Sequence, residues 1–159
     1  MRLSKRLTIL LTIAGVFVWS DSRTLEVRRF GIGIVAGDPT GLSGKYWITP
    51  DHALDFTGAW TFGDYFHLHS TYLFHFSRLI PEPEWAVYTG IGGRLKLTRC
   101  SDGDRCSRFG VRMSGGIDYS YPPFEAFLEI APTFELAPET ALEFEGGVGA
   151  RVFFLSKKK

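Results

Sequence analysis

From about residue 30 onward, large apolar side chains and polar or small ones take turns along the chain. Eight runs read this way: 30–37, 41–49, 53–62, 65–76, 85–98, 109–121, 124–136 and 141–154. A period of two is that of a β-strand, whose successive side chains point to opposite faces. The breaks between runs carry turn chemistry: Asp38-Pro39-Thr40, Thr49-Pro50-Asp51, Gly63-Asp64, Pro81 to Pro83, Pro122-Pro123 and Pro138-Glu139-Thr140. The pattern predicts an all-β chain of eight antiparallel strands connected up-and-down.

The two faces differ sharply. One presents Phe56, Trp60, Phe66, Leu68, Ile91, Met113, Leu128, Ile130, Phe134, Phe144 and Val148, without a charged residue in any run. The other holds Lys45, Asp55, Arg94, Lys96, Arg112, Asp118, Glu125, Glu129, Glu135, Glu143, Glu145 and Arg151. Alternation alone leaves open which face points inward. A soluble ligand-binding barrel has its apolar face inside, and a transmembrane barrel has it outside. Side-chain size favours the second. An eight-stranded barrel is just wide enough to be filled by side chains, and the aromatic face is too bulky for that space. The charged face also carries most strand glycines, among them Gly31, Gly33, Gly90, Gly116 and Gly149, which make room inside. The expectation is a transmembrane β-barrel with a lumen charge network. Unpaired charges there would be costly, so pairing across strands is expected. Trp47, Trp60, Trp85, Tyr119, Tyr121 and Phe153 lie toward strand ends, where interfacial girdles form. Pro132 sits mid-strand on the apolar face. It cannot donate to the ladder, so a bulge or break is expected there.

The N-terminus breaks the pattern. Arg2, Lys5 and Arg6 precede an apolar run from Leu7 to Trp19, followed by Ser20, Asp21 and Ser22. This is the layout of a secretory signal peptide. Residues 1–22 are therefore read as signal peptide and 23–159 as barrel, in the outer membrane of a Gram-negative-type bacterium. Lys and Arg number 18 against 17 Asp and Glu, so no charge excess draws the chain to nucleic acid. Cys100 and Cys106, the two cysteines, bracket a polar turn-rich segment. In an exported chain that spacing reads as a local disulfide.

Candidate chemistry is sparse. His67, His69 and His75 share the charged face of the fourth run. His67 and His69, two apart, have residue types that bind metals or act as bases. No acidic or Cys ligand at motif spacing accompanies them, so no metal site is expected, and no cofactor. His75-Phe76-Ser77 has the His-x-Ser form of outer-membrane lipid A deacylases, without the acidic partner such catalysis needs. The Gly31-x-Gly33 and Gly90-x-Gly92 pairs lie inside strands and open no helix, unlike phosphate loops. A non-enzymatic structural barrel, or one with a narrow charge-plugged pore, fits best.

The segments Gly31 to Trp47, Tyr88 to Lys96 and Phe124 to Leu136 resemble a family of short bacterial barrels without assigned activity, known among spirochaetes and other Gram-negative lineages. The architecture resembles that of the OmpA and OmpX barrels. The resemblance implies an outer-membrane barrel surrounded by lipid and adds no catalytic residues. Gly149, Val152 and Phe154 are similar to the terminal signal read by the barrel-assembly machinery. The chain continues past them through Leu155, Ser156 and Lys157 to Lys159, where that signal usually ends in an aromatic.

Overall fold

The structure is a computed structural model, and it describes residues 27–61, 65–99 and 105–156. The expected signal peptide, Cys100 and the terminal lysines lie outside the described residues. Eight strands follow one another: β1 (Val27–Asp38), β2 (Gly41–Trp47), β3 (His52–Thr61), β4 (Tyr65–Phe76), β5 (Trp85–Arg99), β6 (Arg105–Tyr121), β7 (Phe124–Ala137) and β8 (Ala141–Ser156). Each pairs antiparallel with the next, and β1 pairs with β8, so the sheet closes on itself. Closure leaves no unpaired sheet edge. No helix among the described residues is long and apolar enough to cross a membrane, which leaves open crossing by strands.

Strand parity decides the two surfaces. Along β7, burial alternates residue by residue from Phe124 to Glu135. The charged set points inward: Lys45, Asp55, Arg94, Arg112, Asp118, Glu125, Glu129, Glu135, Glu145 and Arg151 are all buried. The aromatic and aliphatic set points outward, with Phe144 74% and Ile130 69% exposed. An apolar belt of this extent is not the surface of a water-soluble monomer. It excludes the inverted arrangement, in which an apolar lumen would hold a ligand.

The inward glycines accept large neighbours. A Cβ on Gly116 would lie 2.4 Å from Tyr88 Cζ, and one on Gly149 would lie 2.4 Å from Phe127 Cζ. Tyr88 and Phe127, themselves buried, therefore lie across the bare backbone of a neighbouring strand. Gly149 has this packing role whatever part it has in assembly.

Three expectations are corrected and one is met in part. Trp47 is not a girdle residue: it turns inward, with its ring 4.4 Å from that of His75. Phe153 is likewise buried inside. Both share the parity of inward neighbours, Lys45 and Arg151, and parity overrides their position near strand ends. Trp60, Trp85, Tyr119 and Tyr121 do face outward. At Pro132 the expected break is present without a bulge: the β6–β7 ladder skips Pro132 and Ala131, as the missing donor dictates, and resumes without a shift. The β6–β7 ladder passes from Arg112↔Thr133 to Gly115↔Ile130 in one register, and the irregularity falls at Phe109/Gly110 instead. On its other side Pro132 stays aligned with Phe144 of β8. Finally, β6 starts at Arg105, four residues before the expected start, because the β5–β6 ladder runs up to Arg99↔Arg105. Cys106 thus stands in a strand and not in the loop.

Candidate functional site

Toward the end of the barrel formed by the β3–β4, β5–β6 and β7–β8 connections, Arg94 of β5 gathers three carboxylates. Its Nη1 donates to Glu145 Oε1 at 2.5 Å and to Glu143 Oε2 at 2.8 Å, and its Nη2 donates to Glu135 Oε1. Glu143 also accepts from Lys96 Nζ at 2.8 Å, and Glu135 accepts from Arg108 Nη1 at 3.3 Å. The Glu143 and Arg108 side chains are 30% and 45% exposed, so this group reaches the mouth. One turn of the ladder deeper, Arg112 Nη2 donates to Glu129 Oε1 at 2.6 Å.

A second group occupies the other half. Arg151 Nη1 donates to Glu125 Oε1 at 2.9 Å, and its Nη2 donates to Asp55 Oδ2 and to Ser43 Oγ. The guanidinium lies over the Phe127 ring, 3.8 Å from its centroid. Lys45 Nζ donates to Asp118 Oδ2 at 2.8 Å and Glu125 Oε2 at 3.0 Å. It also sits 4.4 Å above the Trp47 ring. Ala53, Leu73 and Tyr88 form an apolar cluster in this half, with Trp47 packed against it. His75 Nε2 stands 3.2 Å from Asp118 Oδ2.

The two groups meet through histidines. Asp55 Oδ1 is 3.9 Å from His69 Nε2, His69 Nδ1 is 3.1 Å from His67 Nε2, and His67 Nδ1 is 3.8 Å from Glu145 Oε1. Polar contacts therefore run almost the whole length of the interior. Among the described residues the network holds seven carboxylates (Asp55, Asp118, Glu125, Glu129, Glu135, Glu143, Glu145) and six cations (Lys45, Arg94, Lys96, Arg108, Arg112, Arg151). An interior cavity beside Asp55, His69, Arg112 and Glu129 has a volume of ≈ 10 Å³, about enough for a single water.

Every interior charge expected from parity is inside and paired. Arg108 falls just before the run 109–121 and so is absent from the charged face that alternation defines. The extended β5–β6 ladder brings it opposite Lys96. Ser43 and Tyr88 were also missed, although both share the parity of the charged set. The His75-Phe76-Ser77 motif, already lacking an acidic partner, is not assembled as a pair either. His75 is buried against Trp47 and Tyr88, whereas Ser77 is exposed after the end of β4. Cys100 is outside the described residues, so the expected Cys100–Cys106 closure falls there too.

No protein-family model matches the chain, and no curated protein matches it. Among solved structures, the chain is similar to the N-terminal β-barrel domain of Pseudomonas aeruginosa OprF. The TM-score is 0.63 at 16% identity, covering 81% of this chain and 99% of that one. It is also similar to Neisserial surface protein A, with a TM-score of 0.48 at 15% identity, covering 79% of this chain and 93% of that one. At such identity the first likeness speaks to fold alone: this chain is a closed eight-stranded antiparallel barrel, built like the OprF barrel domain.

Proposed function

We propose that the protein is a non-enzymatic barrel of the outer membrane, exported through residues 1–22, whose interior is a charge plug that holds the barrel's shape. The observation that carries this reading is the pairing of opposite surfaces: an outward apolar belt and a lumen filled by interlocked ion pairs. Buried charges of this kind keep a narrow lumen polar yet closed, since each is satisfied by partners from other strands. Outer-membrane lipids surround it, and the barrel-assembly machinery inserts it, reading Gly149, Val152 and Phe154. The Gly31–Trp47 segment supports grouping it with the spirochaete-type short barrels. Cys100 and Cys106 close the β5–β6 loop as a disulfide.

The test combines outer-membrane fractionation, gels of boiled and unboiled protein, and planar-bilayer recording. The expected result is a heat-shifted band in the outer-membrane fraction and no conductance steps from the wild type. Discrete steps from the wild type would overturn the plug in favour of a narrow pore. An unshifted protein in the soluble fraction would overturn the membrane assignment.

A further inference from the structure

We propose that the barrel interior binds one divalent transition-metal ion between His67, His69 and Glu145. The proposal rests on the inward placement of the charged face in the function proposed above.

The residues come from opposite walls. β4 carries His67 and His69 two positions apart, hence on one face. Closure of the sheet puts Glu145 of β8, four strands away, across from them. One donor atom from each of the three lies within 4.8 Å of the other two, and all three residues are buried. The facing ring nitrogens, His67 Nε2 and His69 Nδ1, are 3.1 Å apart. Donor atoms on a tetrahedral metal with bonds of ~2.0–2.1 Å stand ~3.3 Å apart, so the imidazole pair is already near ligand spacing. A hydrogen bond between the rings would also fit 3.1 Å. Such a bond needs no carboxylate, and Glu145 is what the ring pair gains from the fold.

Glu145 is equipped to serve. Arg94 occupies its Oε1, but its Oε2 is buried with no hydrogen-bond partner among the described residues, Arg112 Nε lying 3.7 Å away. The set would be completed by this carboxylate turning so that Oε2 faces the two ring nitrogens, within the 4.8 Å that already groups the three residues. Behind His69, Asp55 Oδ1 faces the other ring nitrogen at 3.9 Å. That distance is beyond a hydrogen bond; closing it on metal binding would let the carboxylate orient the ligating imidazole and raise its basicity. Arg94 and Arg112 oppose a cation here. The surplus of one carboxylate over the interior Lys and Arg side chains offsets part of that opposition. Two imidazoles and a carboxylate suit Zn²⁺, Co²⁺, Ni²⁺ or Cu²⁺ better than Mg²⁺ or Ca²⁺, and leave a fourth position to water. Once bound, the ion would tie β4 to β8 across the lumen.

The experiment uses the full chain refolded in detergent, titrated calorimetrically with Zn²⁺, with heat-shift gels to establish that each sample is a folded barrel. The wild type is expected to bind one Zn²⁺ per chain. His67→Gln and His69→Gln are expected to weaken binding at least ~10-fold, as loss of a ligand exceeds the ~10–100-fold effect of losing a supporting partner. His75→Gln, outside the cluster, is expected to bind as the wild type does. Should the histidine variants fail to fold, electron paramagnetic resonance of the Cu²⁺-loaded wild type still decides, the expected spectrum showing coupling to two imidazole nitrogens. A folded wild type that binds no Zn²⁺, binding that survives both substitutions, or a Cu²⁺ spectrum without imidazole coupling would overturn the site. Absence of the heat shift in the wild type would instead count against the barrel reading.

Discussion

Arg94→Met is the substitution that most directly interrogates the plug. The native guanidinium is fully buried and meets Glu135, Glu143 and Glu145. Methionine keeps much of the volume and removes the charge. Glu135 would retain Arg108 at 3.3 Å, and Glu143 would retain Lys96 at 2.8 Å. Glu145 would be left with Arg112 Nε at 3.7 Å and no hydrogen bond. One carboxylate is therefore stranded, and breaking a buried pair by removing one partner costs about 3–5 kcal/mol. The assay is urea unfolding of the barrel in lipid vesicles, followed by tryptophan fluorescence and checked by the heat shift. Adding Glu145→Gln to Arg94→Met removes the stranded charge and should recover part of the loss, with a coupling of about 1–3 kcal/mol. If Arg94→Met alone costs under about 1 kcal/mol, as an exposed pair would, the interior is wet and mobile and the plug argument fails.

Other substitutions test other parts of the structure. Ile130→Arg, on the outward belt of β7, should destabilise the barrel in vesicles by about 2–4 kcal/mol if that belt meets hydrocarbon at the midplane. A change near zero would place the belt in water. Gly149→Ala would drive a methyl into the Phe127 ring and against the Ile34 carbonyl oxygen, 2.5 Å away, and should cost about 1–3 kcal/mol by overpacking. Partial relief by Phe127→Leu in the same unfolding assay would assign the ring's share of the cost, the Ile34 carbonyl contact remaining. Maleimide labelling of the unfolded chain should add two tags only after reduction, and two tags without reductant would refute the Cys100–Cys106 disulfide.

Much of the fold was legible in advance because a strand's period is local. The run from Phe124 to Leu136 displays its faces without help from any other segment, and the observed β7 differs from it by one residue. The charged set could be named for the same reason. Loop edges were less legible. Arg105 to Arg108 look like loop by composition and become strand because Lys96 to Arg99 supply partners for a longer ladder. Pro132 lacks a donor, yet its partners on β8 hold the register without a bulge.

The sequence by itself determined eight strands, their parity, and which side chains share a surface, since each follows from steric alternation along a few residues. Only the tertiary structure decided who meets whom across the lumen. Arg94 finds Glu145 some fifty positions away, and His67 and His69 find that same carboxylate. Such meetings depend on the stagger between strands and the closure of β1 on β8. A period of two sets the direction in which a side chain points but not its height in the barrel.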